Sequence, residues 1–137
     1  MTILYIYIYI SPSIIGGRKE IKRHEKQHDH YNKKYHLQCI CKKFNSGKVN
    51  NKQIRNNNPG LVVAEVTQPS LGVGYELGRA ADMKEKKVLC LFRPSSGRAL
   101  SAMIRGAADG RRLQVVDYSE DQLEAVLDRF FSSLQSV

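Results

Sequence analysis

The feature that most constrains the fold is a regular alternation of short apolar runs and helical patterns between residues 61 and 135. The runs are LVVAEV (61–66), KKVLCLF (86–92) and LQVVDY (113–118). Continuous runs of this length, rich in β-branched and aliphatic residues, are typical of strands buried on both faces. The segments between them are short and each fits one helix, so the order indicates parallel strands joined by right-handed crossovers.

A helical pattern follows each of these runs. We predict helices from Leu71 to about Met83 and from Ala99 to about Ala108, and a third helix after Ser119. Gln122 stands three residues after Ser119, as in a capping box, and apolar residues recur beyond it at helical spacing. The chain is therefore predicted to be an α/β protein, a Rossmann-like three-layer domain with a parallel sheet and an atypical amino-terminal part.

The distribution of charge divides the chain near Pro59-Gly60. The formal net charge is +9, and residues 1–60 contain 12 Lys and Arg against 3 Asp and Glu, whereas residues 61–137 contain 10 of each. We assign 1–60 to an atypical basic segment, with a strand at 3–10, a loop at 11–18 and loop or disorder elsewhere. Residues 61–137 form the folded domain. Without a clear second strand or helix before residue 61, the run LVVAEV would be left at an exposed sheet edge.

Two interpretations of the basic segment stay open. Its richness in Lys, Asn, Ile and Tyr is what A/T-rich non-coding DNA gives when it is translated, which favours a partly misread gene model or a retained intron. A genuine basic segment would instead make this a nucleic-acid-binding protein, with weak binding that depends strongly on salt. We expect the folded domain to carry the function, and we do not expect a nucleic-acid partner.

The cysteines and the apolar runs bear on the compartment. The chain has three cysteines, Cys39, Cys41 and Cys90, and so small and odd a number does not suit a disulfide framework. We therefore expect a reducing compartment, which is the cytoplasm, the nucleus or both. ILYIYIYI (3–10) is apolar over only eight residues, against about 20 for a bilayer span. We therefore expect no membrane segment.

The stretch VTQPSLGVGYELGRA (66–80) contains the residues best placed for chemistry. Glu76 is predicted to lie early in a helix whose first turn contains Gly72 and Gly74, with Ser70 as its cap. Exposed amides at a helix amino terminus bind anions, and glycines let a ligand approach the main chain closely. A carboxylate beside such a site can act as a nucleophile or a general base, whereas on an ordinary helix it would be a solvated surface residue.

Three segments carry a resemblance to a known family. VVAEVTQPSLGVGYELGRA, LCLFRPSSGRALSAMIRGAADG and VVDY resemble the 2′-deoxynucleoside 5′-monophosphate N-glycosidases, the Rcl family, which are relatives of the nucleoside 2-deoxyribosyltransferases. The likeness is almost residue for residue over 61–135, with one residue added in ADMKEKK. It implies a hydrolase that cleaves the N-glycosidic bond of a deoxynucleoside monophosphate to a free base and 2-deoxyribose 5-phosphate, without a cofactor.

The resemblance also implies roles for individual residues. Glu76 matches the nucleophile that attacks C1′ of the deoxyribose, in the manner of a retaining glycosidase. Ser70 and Gly72 match residues that hold the 5′-phosphate. Ser101 matches a phosphate-binding serine that the neighbouring subunit contributes, which implies a homodimer with shared active sites.

The amino-terminal segment departs from the family pattern. YISPSIIGGR follows the spacing of the family's phosphate loop, with Pro12 in place of a glycine and Ile15 in place of an arginine. Lys52 stands where the family has an aspartate that is thought to assist leaving-group protonation and sugar positioning. A catalytically impaired relative is therefore the alternative interpretation. The loop residues that match the family in register are Tyr9, Ser13, Ile14, Gly16, Gly17 and Arg18.

A competing motif is HEKQH (24–28), which fits the zinc-binding pattern H-E-x-x-H. A metal-binding helix of this kind needs an apolar face that docks on a core, but the neighbours of His24 and His28 are Lys22, Arg23, Lys26, Gln27 and Asp29. We therefore interpret the tract as a solvated charged run and expect no metal site.

The purified protein is accordingly expected to contain less than one zinc per chain by elemental analysis. A chelator should leave its melting temperature unchanged, because metal binding contributes nothing to the free energy of folding in this interpretation. One tightly held zinc per chain would contradict this interpretation.

Overall fold

The computed structural model describes residues 4–8, 30, 33–34, 37–39 and 61–135, with side chains for 30, 33–34 and 61–134. Its centre is a sheet of five parallel strands in the order β2-β1-β3-β4-β5. Because the strands are parallel, all their carboxyl ends lie on the same side of the sheet, which is called its carboxyl edge below. The strands are β1 (Leu4–Ile8), β2 (Leu37–Cys39), β3 (Leu61–Glu65), β4 (Lys87–Phe92) and β5 (Leu113–Asp117).

The helices cover both faces of this sheet. They are α1 (Leu71–Asp82), α2 (Ala102–Ala107) and α3 (Leu123–Gln135). Successive residues of β3 point to opposite faces, so Val62 and Ala64 pack with α1, whereas Leu61 and Val63 pack with α3. Every residue of β3 is buried, Glu65 at its end included, as predicted for a strand covered on both faces. The predicted α/β fold with a parallel sheet and a helical layer on each face is confirmed.

Three expectations about boundaries and pairing are wrong. The run 61–66 is not a sheet edge, because β1 pairs along β3, from Tyr5 opposite Val62 to Ile8 opposite Glu65. Strand β2 was missed, since three residues are too few to show a period. The capping box at Ser119 does not form either, because a 3₁₀ turn at Glu120–Gln122 precedes α3 and the Ser119 side chain makes no capping hydrogen bond.

Loop 108–112 fixes the carboxyl end of α1. The Arg112 guanidinium donates to the main-chain oxygens of Ala81 and Met83, at 2.9 Å each, where the last helical carbonyls lack partners. The carboxylate of Asp109 accepts from the amides of Leu113, Arg111 and Arg112, which lowers the pKa of that carboxyl. This loop therefore holds α1 against the start of β5.

Within the described part of the chain, no helix combines the length and apolar character that crossing a membrane requires.

Replacing Leu127 by alanine tests the layer formed by α3. Leu127 is fully buried between α3 and the sheet, so Leu127→Ala should lower the free energy of unfolding by about 2–5 kcal/mol. Arg129→Ala, at an exposed position of the same helix, should change it by less than about 0.5 kcal/mol. Urea unfolding measures both, and equal losses would show that α3 is not docked as described.

Candidate active site

The strand order places a crevice at the carboxyl edge of the sheet. From β1, the chain continues to β2 on one side and later to β3 on the other, so the order reverses between β1 and β3. In open parallel sheets, ligands bind outside the strand ends at such a reversal. Ile8 and Glu65 are opposite each other there, and residues 66–70 lead from β3 into α1. This point of the fold is therefore the candidate site.

The first turn of α1 is open on its outer side. The Ser70 side chain caps the helix by accepting from the amide of Val73 at 3.4 Å, as predicted. Gly72 and Gly74 are exposed and neither has a left-handed φ. A Cβ at Gly72 would meet only the Ser70 hydroxyl, at 4.0 Å, and at Gly74 it would meet nothing. Neither backbone conformation nor packing among the described residues requires glycine, so the glycines leave this turn accessible to a ligand.

Glu76 lies on the inner face of the same helix. It is 8% exposed and neighbours the buried residues Val73, Leu77 and Ala80. Within the described residues it forms neither a hydrogen bond nor an ion pair. Burial raises the pKa of the Glu76 carboxyl to about 7, because no hydrogen bond or charge of the described residues compensates for the lost hydration of the carboxylate. A carboxyl that changes protonation state near neutral pH is suited to nucleophilic or proton-transfer chemistry.

Glu65 is buried at the same edge but on the other face of the sheet. Its carboxylate accepts hydrogen bonds from the amide of Thr67 at 3.2 Å, from the Thr67 hydroxyl, and from the Tyr118 hydroxyl at 3.3 Å. Burial raises the pKa of the Glu65 carboxyl, while the bonds from Thr67 and the charge of Arg93 oppose that rise. Glu65 is therefore a satisfied acid, in contrast to Glu76.

Sequence reasoning identified Glu76, Ser70 and Gly72, and the structure places them together around the first turns of α1. Ser101 precedes α2, is exposed, and makes no hydrogen bond with Ser70 or Glu76. Tyr9, Ser13, Ile14, Gly16 and Gly17 lie outside the described residues, as do Lys52 and the HEKQH tract.

Sequence reasoning missed the roles of Thr67 and Tyr118. Thr67 is 1% exposed and its hydroxyl accepts from the amide of Arg93 at 2.9 Å, so it joins the ends of β3 and β4. The available signal was the glutamate that interrupts an otherwise apolar strand. A carboxylate in such a position needs hydrogen-bond donors nearby, and a threonine two residues later is one.

Comparisons with known proteins find similar curated proteins, although no family model matches the chain. The 5-hydroxymethyl-dUMP N-hydrolase of Homo sapiens is 71% identical over 73 residues, which are 53% of this chain and 41% of that protein. Its counterpart in Branchiostoma floridae is 59% identical over 73 residues, 53% of this chain and 69% of that protein.

A relative from Nematostella vectensis is named Putative 2′-deoxynucleoside 5′-phosphate N-hydrolase 1 and is 60% identical over 73 residues, 53% of this chain and 49% of that protein. The chain thus spans about half the length of most of the curated relatives it matches.

The burial of Glu76 predicts a specific dependence of stability on pH. Its folded pKa lies above the ordinary glutamate value of about 4.3, so between those values the folded state holds a proton that the unfolded state has lost. Stability from this group therefore falls as pH rises from about 5 to about 7. The side chain of Glu76→Gln cannot ionise. The melting temperature of the variant minus that of the parent should therefore increase as pH rises through that range.

Glu85→Gln is the matched control, because Glu85 is an exposed glutamate just beyond the same helix. Its melting temperature should follow that of the parent at every pH. A constant difference between Glu76→Gln and the parent from about pH 5 to about pH 8 would show that the carboxyl of Glu76 titrates normally in the folded protein.

Proposed function

We propose a function from one premise: this chain belongs to the family of 2′-deoxynucleoside 5′-phosphate N-hydrolases. In this proposal the chain hydrolyses the N-glycosidic bond of a 2′-deoxynucleoside 5′-monophosphate and releases the free base and 2-deoxyribose 5-phosphate. The observation that carries this proposal is Glu76, a buried carboxyl without a partner among the described residues, one turn inside a helix that opens onto the strand ends. The names of the human and lancelet relatives make 5-hydroxymethyl-dUMP the first substrate to test.

The reaction that fits Glu76 is a double displacement. The ionised carboxylate attacks C1′ of the deoxyribose, an ester bond forms between Glu76 and C1′, and the bond from C1′ to the base nitrogen breaks. The base leaves with the bonding electrons and takes up a proton. Water then attacks C1′ and gives up one proton to solvent, which balances the proton taken up by the base; the water oxygen replaces the ester oxygen, and Glu76 leaves as a carboxylate. Since the pKa of Glu76 is about 7, kcat/KM should fall as pH drops below that value.

The 5′-phosphate is placed at the start of α1. The first amides of a helix have no internal partners and carry the positive end of the helix dipole, which favours an anion. Ser70 is half-buried at this point and Gly72 adds no side chain that would keep a phosphate away. In this proposal, Ser70 and Gly72 hold the phosphate, and the site is completed by residues that follow β1 in the sequence, Tyr9, Ser13, Ile14, Gly16 and Gly17.

A homodimer supplies the remaining phosphate contact. Ser101 is exposed and does not bond to Ser70 or Glu76 of its own chain, which suits a residue that acts in the site of a second copy. Met103 on the adjoining α2 is 85% exposed, so this part of the surface is accessible to a second copy. The free, buried thiol of Cys90 suits a reducing compartment, so we place the protein in the cytoplasm, the nucleus or both.

The amino-terminal segment favours a second candidate, a catalytically impaired relative. Lys52 stands at the position of the family's aspartate, and Ile15 stands at the position of a loop arginine. Loss of a group that assists proton transfer reduces a rate by about 10²–10⁴-fold. The phosphate contacts at Ser70, Gly72 and Ser101 are all present, so nucleotide binding should be weakened less than the chemistry.

Four proteins test both candidates. They are the 137-residue chain, a fusion of residues 61–137 to the amino-terminal half of the human relative, and the Glu76→Gln variant of each. Incubation with 5-hydroxymethyl-dUMP or deoxyguanosine monophosphate, followed by chromatography of the free base, gives the rates. We expect the fusion to be active, the chain to be slower by about 10²–10⁴-fold, and Glu76→Gln to lower the rate of the fusion by more than about 10³-fold.

The controls separate the two candidates. Glu85→Gln in the fusion should retain the parent rate, because Glu85 is exposed and lies outside the proposed site. Turnover by Glu76→Gln within about tenfold of its parent would exclude Glu76 as the nucleophile. Equal rates from the chain and the fusion would exclude the impaired candidate, and an inactive fusion that is folded would overturn the proposed function itself.

A further inference from the structure

A buried polar cluster joins the carboxyl ends of β3, β4 and β5. Its members are Glu65 at the end of β3, Thr67 two residues later, Arg93 after β4 and Tyr118 after β5. Glu65, Thr67 and Tyr118 are 5%, 1% and 8% exposed. A buried carboxylate without donors would be strongly unfavourable, but three hydrogen bonds reach Glu65 here, and Arg93 Nε lies 4.0 Å from Glu65 Oε1.

The hydroxyl of Thr67 is the link between two loops. It donates to Glu65 Oε1 and accepts from the amide of Arg93 at 2.9 Å. A hydroxyl has one proton to donate, so the acceptance of that proton by Glu65 leaves the oxygen lone pairs directed at Arg93. The orientation of the Thr67 side chain is thereby fixed by Glu65, and the position of Arg93 is fixed by Thr67.

The two residues that this link joins are the first residues of loops that run to proposed phosphate contacts. Thr67 begins the segment 67–70, which ends at Ser70, and Arg93 begins the segment 93–101, which ends at Ser101. The guanidinium of Arg93 also forms a salt bridge with Glu120, in which Nη1 lies 2.8 Å from Glu120 Oε1. A displacement of either loop at its base would shift the serine at its far end.

The sheet does not need this link for its own integrity. The amide of Val66 bonds to the main-chain oxygen of Leu91 at 2.9 Å, and the amide of Tyr118 bonds to that of Phe92 at 2.8 Å. Main-chain bonds therefore hold the strand ends together on either side of the cluster. What the Thr67 hydroxyl adds is the relative placement of the two loops beyond those bonds.

We propose that Thr67, oriented by Glu65, is a positioning residue that sets the segment 67–70 and the segment 93–101 relative to each other. Its consequence for nucleotide binding rests on the proposed function, in which Ser70 and Ser101 hold the 5′-phosphate. The coupling of the two loops does not rest on it. Thr67 itself touches neither the sugar nor the base in this scheme.

The test uses Thr67→Val, which keeps the shape of the side chain without its hydroxyl, and Thr67→Ser, which keeps the hydroxyl. Hydrogen exchange of the full 137-residue chain measures the loops directly. In Thr67→Val, exchange at Arg93 and along 95–101 should be at least about tenfold faster than in the parent, since the Arg93 amide loses its acceptor. Thr67→Ser should stay within about threefold of the parent. The amides of Val66 and Tyr118 are internal references.

Calorimetric titration with 5-hydroxymethyl-dUMP supplies the second readout. Thr67→Val should weaken binding about tenfold, and Thr67→Ser should restore it. Leu127→Ala is the stability control: it lowers the stability of the fold through the other helical layer, but well below its melting temperature it should bind like the parent. Equal weakening in Leu127→Ala and Thr67→Val would overturn a positioning role in binding.

Hydrogen exchange tests the coupling of the two loops independently of whether the chain binds a nucleotide. Unchanged exchange at Arg93 in Thr67→Val, or equally faster exchange at Val66 and Tyr118, would overturn the inference. If neither the parent chain nor its fusion binds or cleaves a deoxynucleotide, the proposed function fails, and loop-specific exchange would still support the coupling.

Discussion

Strand β3 is the constraint on which the rest of the structure depends. It is hydrogen-bonded on both sides, to β1 and to β4, and every one of its residues is buried. A strand in this position must be covered by helices on both faces, because its apolar side chains alternate between them. Helices α1 and α3 provide the two layers, and the carboxyl end of β3 opens at the reversal of the strand order, where the candidate site lies.

Two buried carboxylates flank that strand end, and their surroundings differ in kind. Glu65 faces the α3 layer and accepts three hydrogen bonds, whereas Glu76 lies in the α1 layer and has no partner among the described residues. Burial raises the pKa of both carboxyls, but only Glu65 has donors and a cation that oppose the rise. A buried carboxylate whose oxygens accept hydrogen bonds stabilises one arrangement of the loops around it, whereas a carboxylate without such bonds remains available for chemistry.

The start of α1 also departs from what stability alone would favour. Glycine in a helix is less favourable than alanine by about 1 kcal/mol, and Gly72, Gly74 and Gly78 all occur in this one helix without a steric need among the described residues. An unpartnered buried carboxyl in the same helix is a second departure. Local departures from stability rules gather at functional sites, so the two features support each other in marking α1 as the element that binds and reacts.

The sequence by itself determined the elements whose signals are local. The apolar runs predicted β3, β4 and β5 within about a residue of their bounds, the helix-forming residues after Ser70 predicted α1, and the helical spacing after Ser119 predicted α3. The cap at Ser70 and the position of Glu76 follow from neighbouring residues in the same way. A run of apolar residues dictates burial wherever it occurs, so these features could be read without knowledge of the fold.

Only the tertiary structure decided which distant residues meet. The pairing of β1 with β3 and the three-residue β2 leave no local pattern, and the 3₁₀ turn after Ser119 replaced a capping box that spacing alone favoured. The bond from Arg93 to Thr67 joins residues 26 apart, and the bond from Tyr118 to Glu65 joins residues 53 apart. Such contacts depend on the order of strands in the sheet. That order is set by the packing of the whole domain, because adjacent strands bring together side chains whose separation along the chain is arbitrary.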